Sequence, residues 1–430
     1  MGSTIISDNN NRAAAGVSGA SKSMTMLIVF RALMGLGAAA VQRGKYMGVI
    51  SAANGMGQVM GPLIGGLITD AMGWRWTMYI NVPVLVVTAI PLTWLVRLKT
   101  PEGSIKEKLR RIDYPGIVTM CGGIVLILVG LNNSTTSGWS SVKTLLPIII
   151  GVVLFVAFVY VEHKRTEPLL PLKLLRYRNV YTNMLGAMIT GIIMYAGIFY
   201  IPSLFVALYQ RTPKTAGIDT WPWMIGVVVA STGSGFLITK TGVYRPFLWI
   251  GSTLLIIGSF LMYSVRANSS FPIIAIYIAL VGFGIGFRLT PVTIAAQAAV
   301  TKPDMALTTA LINFSRSVGG LLGVAMFKGI QQGVFEPSAI SLSAQFPDFS
   351  SQINMVFKGQ TTSLALITDD YARESVTQAF VHSLNVIFLV SGCLACLGFL
   401  VSVFVKHIDL SVKNAATEQE ETVICEKSPS

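Results

Sequence analysis

The chain has 430 residues, of which 53% are hydrophobic and only 12% charged, and its mean hydropathy is +0.65. These proportions exclude the soluble globular and disordered classes, because so few charges cannot solvate so much apolar surface. The net charge of +13 reads as a membrane-topology signal and not as a nucleic-acid-binding surface, since lysine and arginine collect in the cytoplasmic loops of membrane proteins.

Taken in order, residues 1–23 form a polar segment with no apolar core that would serve as a signal peptide. Apolar windows of roughly 17 to 25 residues then predict eleven spans, at 24–41, 46–68, 77–96, 114–131, 145–161, 180–208, 221–239, 246–263, 271–299, 305–330 and 379–405. The fold class is therefore an all-α polytopic membrane protein. The segment 331–378 is mixed in polarity and is expected as an ordered extracellular loop, and 406–430 as a cytoplasmic tail.

With that tail inside, the alternating inside segments carry about twice as many Lys and Arg as the outside ones. The sequons at Asn132, Asn133 and Asn268 then fall in outside loops and are expected glycosylation sites. An odd number of spans places the N-terminus outside, which suggests upstream sequence. The cysteines at 121, 393, 396 and 425 offer no outside pair, so no disulfide is expected and Cys393 and Cys396 read as packing residues.

Inside the second span, Gly57-Gln58-Val59-Met60-Gly61-Pro62-Leu63-Ile64-Gly65-Gly66 combines small residues that allow close helix approach with a proline that bends the helix. Arg31, Arg288 and Arg316 lie in or at the ends of apolar spans, where an unpaired cation is costly and needs a partner or a wet cavity. Arg288 and Arg316 either contact an anionic substrate or snorkel to the cytoplasmic interface. No Asp or Glu falls inside any predicted span. Asn54, Gln58, Asn183, Tyr195, Tyr200, Gln297 and Asn313 are the remaining polar candidates for a substrate cavity, each weighed against a helix-to-helix hydrogen bond. No phosphate-binding loop, metal cluster or catalytic constellation is present, so neither a cofactor nor an enzyme is expected.

Several segments carry a family resemblance. Leu27-Ile-Val-Phe-Arg31-Ala-Leu-Met-Gly35-Leu-Gly37-Ala38-Ala39 resembles the fourth-helix motif of the major facilitator superfamily, and Gly57 through Gly66 resembles its fifth-helix antiporter motif. Gly73-Trp74-Arg75-Trp76 with Tyr79-Ile80-Asn81-Val82-Pro83, then Glu167 to Leu172, then Asn313 to Gly320, are similar to the fourteen-span drug:proton antiporter branch, especially its fungal members.

The resemblance covers about residues 22–408. It implies a remnant of the N-terminal bundle at 24–96 (helices four to six), two extra helices with flanking cytoplasmic loops at 97–179, and a six-helix C-terminal bundle at 180–405. Helices one to three and part of helix four near Val41 to Lys45 are expected to be missing, as in a truncated or mis-spliced product. Arg31 is implied in proton transfer, and Gly35, Gly37, Gly57, Gly61, Pro62, Gly65 and Gly66 in packing and gating. The implied activity is efflux of toxins, drugs or secondary metabolites across the plasma membrane by proton antiport. Its partners would be an amphipathic small molecule, the bilayer and protons. The alternative is a truncated, non-transporting membrane protein.

Overall fold

The computed structural model describes residues 113–408, apart from 139, 165–171 and 302–303, together with scattered positions between 68 and 87. Among the earlier positions a helical turn covers Trp76–Tyr79, and the amide of Asn81 donates to the Thr77 carbonyl at 3.1 Å. Everything from Asp113 onward belongs to a separate compact unit. The first two predicted spans, apart from position 68, and half of the third lie outside the described residues.

That unit opens with a hairpin of two apolar helices, α1 (Tyr114–Ser137) and α2 (Val142–Lys164). Asp113 caps α1, its Oδ1 accepting from the Gly116 amide at 3.1 Å, which occupies one of the orphan donors at a helix start. Gly138 turns the chain with φ +76, a value that favours glycine because it has no Cβ. Glycines on both helices bring the backbones together: a methyl added at Gly123 would sit 3.0 Å from the Gly151 carbonyl, and one at Gly130 would sit 2.8 Å from that of Thr144. The outer faces carry Val118, Val142 and Val156 at 67%, 73% and 65% exposure, which is favourable only against lipid.

Six further long helices form a bundle: α3 (Arg178–Tyr209), α5 (Trp221–Thr241), α6 (Arg245–Tyr263), α7 (Phe271–Ala298), α8 (Met305–Gln345) and α10 (Asp370–Val403). A short α4 (Pro213–Asp219) precedes α5, and α9 (Ser350–Phe357) follows α8. Helix α7 packs on α3, α5 and α6; α8 packs on α3 and α10; α10 also packs on α3 and α6; and the α1–α2 hairpin joins through α1 to α8. Eight helices among the described residues are long and apolar enough to cross a membrane, in the places of the last eight predicted spans.

At the end that carries Lys406, the Tyr244 hydroxyl donates to the Lys406 carbonyl at 2.7 Å and accepts from the Ile408 amide at 2.8 Å. Burial raises the pKa of this phenol, so it stays a donor. The Asn179 side chain closes two more bonds with the Lys406 backbone, both 2.8 Å. At the opposite end Tyr209 donates to the Ser269 carbonyl at 2.8 Å, and Asn385 donates to that of Val265 at 2.7 Å.

Helix ends depart from the hydropathy windows. Helix α8 is 41 residues long, about 60 Å at the usual rise, roughly twice the hydrocarbon thickness. The segment expected as a loop at 331–378 thus begins as a continuation of α8. Phe335 holds it together, stacking on Phe357 of α9 at 6.5 Å and meeting Phe380 of α10 edge-on at 5.6 Å. Helix α2 likewise runs past position 161, so Glu162, just beyond the predicted span, lies in its last turn, 2% exposed. Asn132 and Asn133 sit in the last turns of α1 and not in the loop after it. The Asn132 Oδ1 accepts from Lys328 Nζ at 2.9 Å, and the Asn133 amide donates to the Lys143 carbonyl at 3.0 Å. Asn268 remains on an exposed loop.

Candidate functional site

Helix α7 carries Gly282, Gly284 and Gly286, and each lies where a side chain would collide with a neighbour. Methyl groups on Gly282 and Gly286 would strike the backbone carbonyls of Trp223 and Val227 on α5, while one on Gly284 would come within 2.8 Å of the Gly251 carbonyl on α6. The helix is thereby sandwiched between α5 and α6 at backbone contact. Arg288, one helical turn after Gly284, lies inside the bundle at 1% exposure.

A buried guanidinium needs acceptors for its five donors. Three neighbouring helices supply them. Arg288 Nε donates to Thr190 Oγ1 of α3 at 2.9 Å. Its Nη1 donates to Ser402 Oγ of α10 at 2.9 Å, to the Gly398 carbonyl at 3.4 Å and to Ser252 Oγ of α6. Its Nη2 donates to the Gly186 carbonyl at 3.3 Å.

The orientation of these hydroxyls follows from their own helices. Thr190 donates to the carbonyl of Gly186 at 2.7 Å, Ser252 to that of Leu248 at 2.8 Å and Ser402 to that of Gly398 at 2.7 Å. Each hydroxyl proton is directed back into its helix, so the oxygen lone pair is left to face the arginine. Glycine at 186 and 398 makes room, because a methyl there would lie 3.2 and 3.5 Å from Nη2. Arg288 is therefore walled in by neutral oxygens and does not snorkel to an interface.

Arg316 on α8 is held differently. Its Nη1 donates to Asn313 Oδ1 at 3.2 Å and its Nη2 to the Leu289 carbonyl of α7 at 3.4 Å, while the sheltered Nε has no acceptor among the described residues. The side chain is half-buried. Here α3 and α8 touch at the backbone: methyl groups on Gly191 and Gly319 would strike the carbonyls of Arg316 and Met188, and one on Gly320 would meet the ring of Tyr195. That contact places the ring of Tyr195, also half-buried, against α8 one helical turn from Arg316.

The other sequence candidates separate from this group. Asn183 is 1% exposed and donates within its own helix to the Asn179 carbonyl at 2.6 Å. Gln297 donates to Thr309 Oγ1 at 2.6 Å and ties α7 to α8. Tyr200 is 7% exposed and packs edge-on against Phe327 at 6.4 Å. Arg31, Gly35, Gly37, Asn54, Gly57, Gln58, Gly61, Pro62, Gly65 and Gly66 lie outside the described residues. The sequence reading did not single out Thr190, Ser252 or Ser402; small hydroxyls inside apolar spans were the available signal. Among the described residues no three His, Cys, Asp or Glu side chains gather as a metal site.

The sequence model of the Major Facilitator Superfamily matches residues 13–324. An acurin A biosynthesis cluster MFS-type transporter from Aspergillus aculeatus is 30% identical over 417 residues, covering 91% of this chain and 74% of that protein. The MFS thioclapurine efflux transporter tcpA of Claviceps purpurea is 28% identical, covering 89% and 73%. The multidrug transporter MdtP of Bacillus subtilis is 27% identical, covering 95% and 81%. A solved bacterial homologue of the human lysosomal transporter Spinster superposes with a TM-score of 0.54 at 15% identity, over 94% of this chain and 81% of that one, a likeness of fold. Family match, membrane-crossing helices and fold agree: the chain is an integral membrane protein and belongs to the major facilitator superfamily.

Proposed function

We propose that the chain is a secondary transporter that exports small amphipathic molecules, such as toxins, drugs or secondary metabolites, across the plasma membrane in exchange for protons. The observation that carries this reading is the likeness, over about nine-tenths of the chain, to a protein named as an efflux transporter. The glycine contacts of α3 with α8 and of α7 with α5 and α6 support it, since a carrier that rocks between two states needs bundles that move as rigid bodies.

On this reading the Lys406 end faces the cytoplasm. Lys164, Arg178, Lys240 and Arg245 each lie over an aromatic ring there, on Tyr160, Phe404, Phe236 and Trp249 at 4.5 to 5.7 Å, an arrangement suited to a membrane interface. Asn268, together with Asn132 and Asn133 at the end of α1, then faces outside as a glycan acceptor. Arg31 is the proton-linked cation and Gly57 to Gly66 the gating motif. Among the described residues the buried carboxylates are Asp113 and Glu162, both on the α1–α2 hairpin. Proton coupling is accordingly the part to test first.

The test is purified chain in liposomes loaded with a lipophilic dye, with an imposed pH gradient as the only energy source. Gradient-driven dye movement that stops on adding a protonophore is the expected result. Movement indifferent to the gradient overturns antiport, and movement no faster than in empty liposomes overturns transport.

A further inference from the structure

Two arginines lie within one bundle, and they differ in what the protein offers them. Arg288 directs all three nitrogens to five protein oxygens. Among the described residues Arg316 makes two bonds, both to neutral acceptors at 3.2 and 3.4 Å, and its Nε makes none. Leaving donors of a cation unmatched inside a membrane is unfavourable, and the deficit is one of acceptors.

The neighbours of Arg316 deepen that deficit. Asn313 uses its oxygen on Arg316, so toward a ligand its side chain offers the Nδ2 donor. Tyr195 of α3 lies nearby, its ring against Gly320 one helical turn along α8 from Arg316. The guanidinium and the Asn313 Nδ2 are donors, and the Tyr195 phenol is able to donate as well.

The depth of the group matters too. Arg316 is eleven residues beyond the first residue of α8, about 17 Å along the axis, roughly half the hydrocarbon thickness of a bilayer. That is too deep for a lipid phosphate in its headgroup layer.

We infer that Arg316, with the Asn313 amide and the Tyr195 hydroxyl, binds a carboxylate or equivalent oxyanion on the transported molecule. An oxyanion supplies both the negative charge and the several lone pairs that a planar guanidinium matches. The assignment rests on the transport reading and narrows it: substrates bearing an acid group are preferred over their neutral analogues. Arg288, saturated by its own helices, takes no part in recognition.

The probe pair is radiolabelled 1-naphthylacetate and its uncharged amide, which share a ring system and differ in charge. Their binding to purified full chain in uncharged detergent is read by scintillation proximity. Wild type is expected to bind the carboxylate about tenfold or more tightly than the amide, the ratio for a good charge-assisted contact. Arg316→Gln brings that ratio close to one, while Arg316→Lys falls between.

Tyr195→Phe and Asn313→Ala keep the inference testable if Arg316→Gln does not fold, each lowering the ratio severalfold. A ratio unchanged by these substitutions overturns the assignment, as does wild type that binds both probes alike or neither. Anion-selective binding without transport in liposomes removes the transport reading and leaves the site. Transport with an unchanged ratio does the reverse.

Discussion

Around Arg288, three serine and threonine oxygens and two carbonyls converge on one guanidinium from α3, α6 and α10. Around Arg316, one amide oxygen and one carbonyl among the described residues serve a guanidinium on α8, and a nitrogen is left over. Both side chains sit in apolar helices and both look alike in the sequence. Acceptor supply, and not burial alone, distinguishes an arginine that fastens helices from one that awaits a ligand. In a bilayer the distinction is sharper than in water, because no solvent makes up a missing partner.

The largest expected effect breaks the fastened side of this contrast. Arg288→Lys keeps a cation in the same dry site but replaces a planar fork with a single ammonium that cannot reach three helices. A loss of about 3 kcal/mol follows if each of the five contacts contributes the ~0.6 kcal/mol typical of membrane hydrogen bonds. Arg288→Met removes the charge along with the bonds, so it is expected to cost less than lysine. Denaturant titration of the purified protein checks the order.

Next comes the contact that brings Tyr195 to Arg316. Gly319→Ala forces a methyl against the Met188 carbonyl, which is backbone and cannot turn aside. Overpacking of this kind costs about 1 to 3 kcal/mol. It is expected to lower anion preference together with stability, because α3 and α8 must separate.

Tyr244→Phe is a smaller perturbation remote from both arginines. It removes the bonds to the Lys406 carbonyl and the Ile408 amide, at about 1 kcal/mol. Burial raises this phenol above the ordinary tyrosine value, so folding favours the protonated form. Its contribution is present below pH about 10 and is lost as pH climbs past that value. The stability gap between wild type and Tyr244→Phe should therefore narrow in strong alkali.

Much of this molecule was legible before its coordinates, for reasons that also mark the limit. Helices such as α3, α6 and α7 are continuous apolar runs, and hydropathy finds them because lipid demands uninterrupted apolar surface. The ends of α2 and α8 were missed where the helix outlasts its apolar face: Glu162 and Phe335 lie on turns that packing holds helical. Arg316 and Asn313 are three apart, so helical spacing alone pairs them. The acceptors of Arg288 lie 98, 36 and 114 residues away, and no local pattern announces a convergence of that range. The contrast between the two arginines was therefore invisible in the sequence.

The smallest expected stability effect is at Arg316, where only two long bonds to neutral groups are at stake. The measurement that tests the account most directly is the thermal unfolding midpoint of Arg288→Lys beside Arg316→Lys, in one detergent and at one pH. The account predicts a fall of several degrees for Arg288→Lys and a midpoint close to wild type for Arg316→Lys. Equal falls, or a larger one at Arg316, would contradict it.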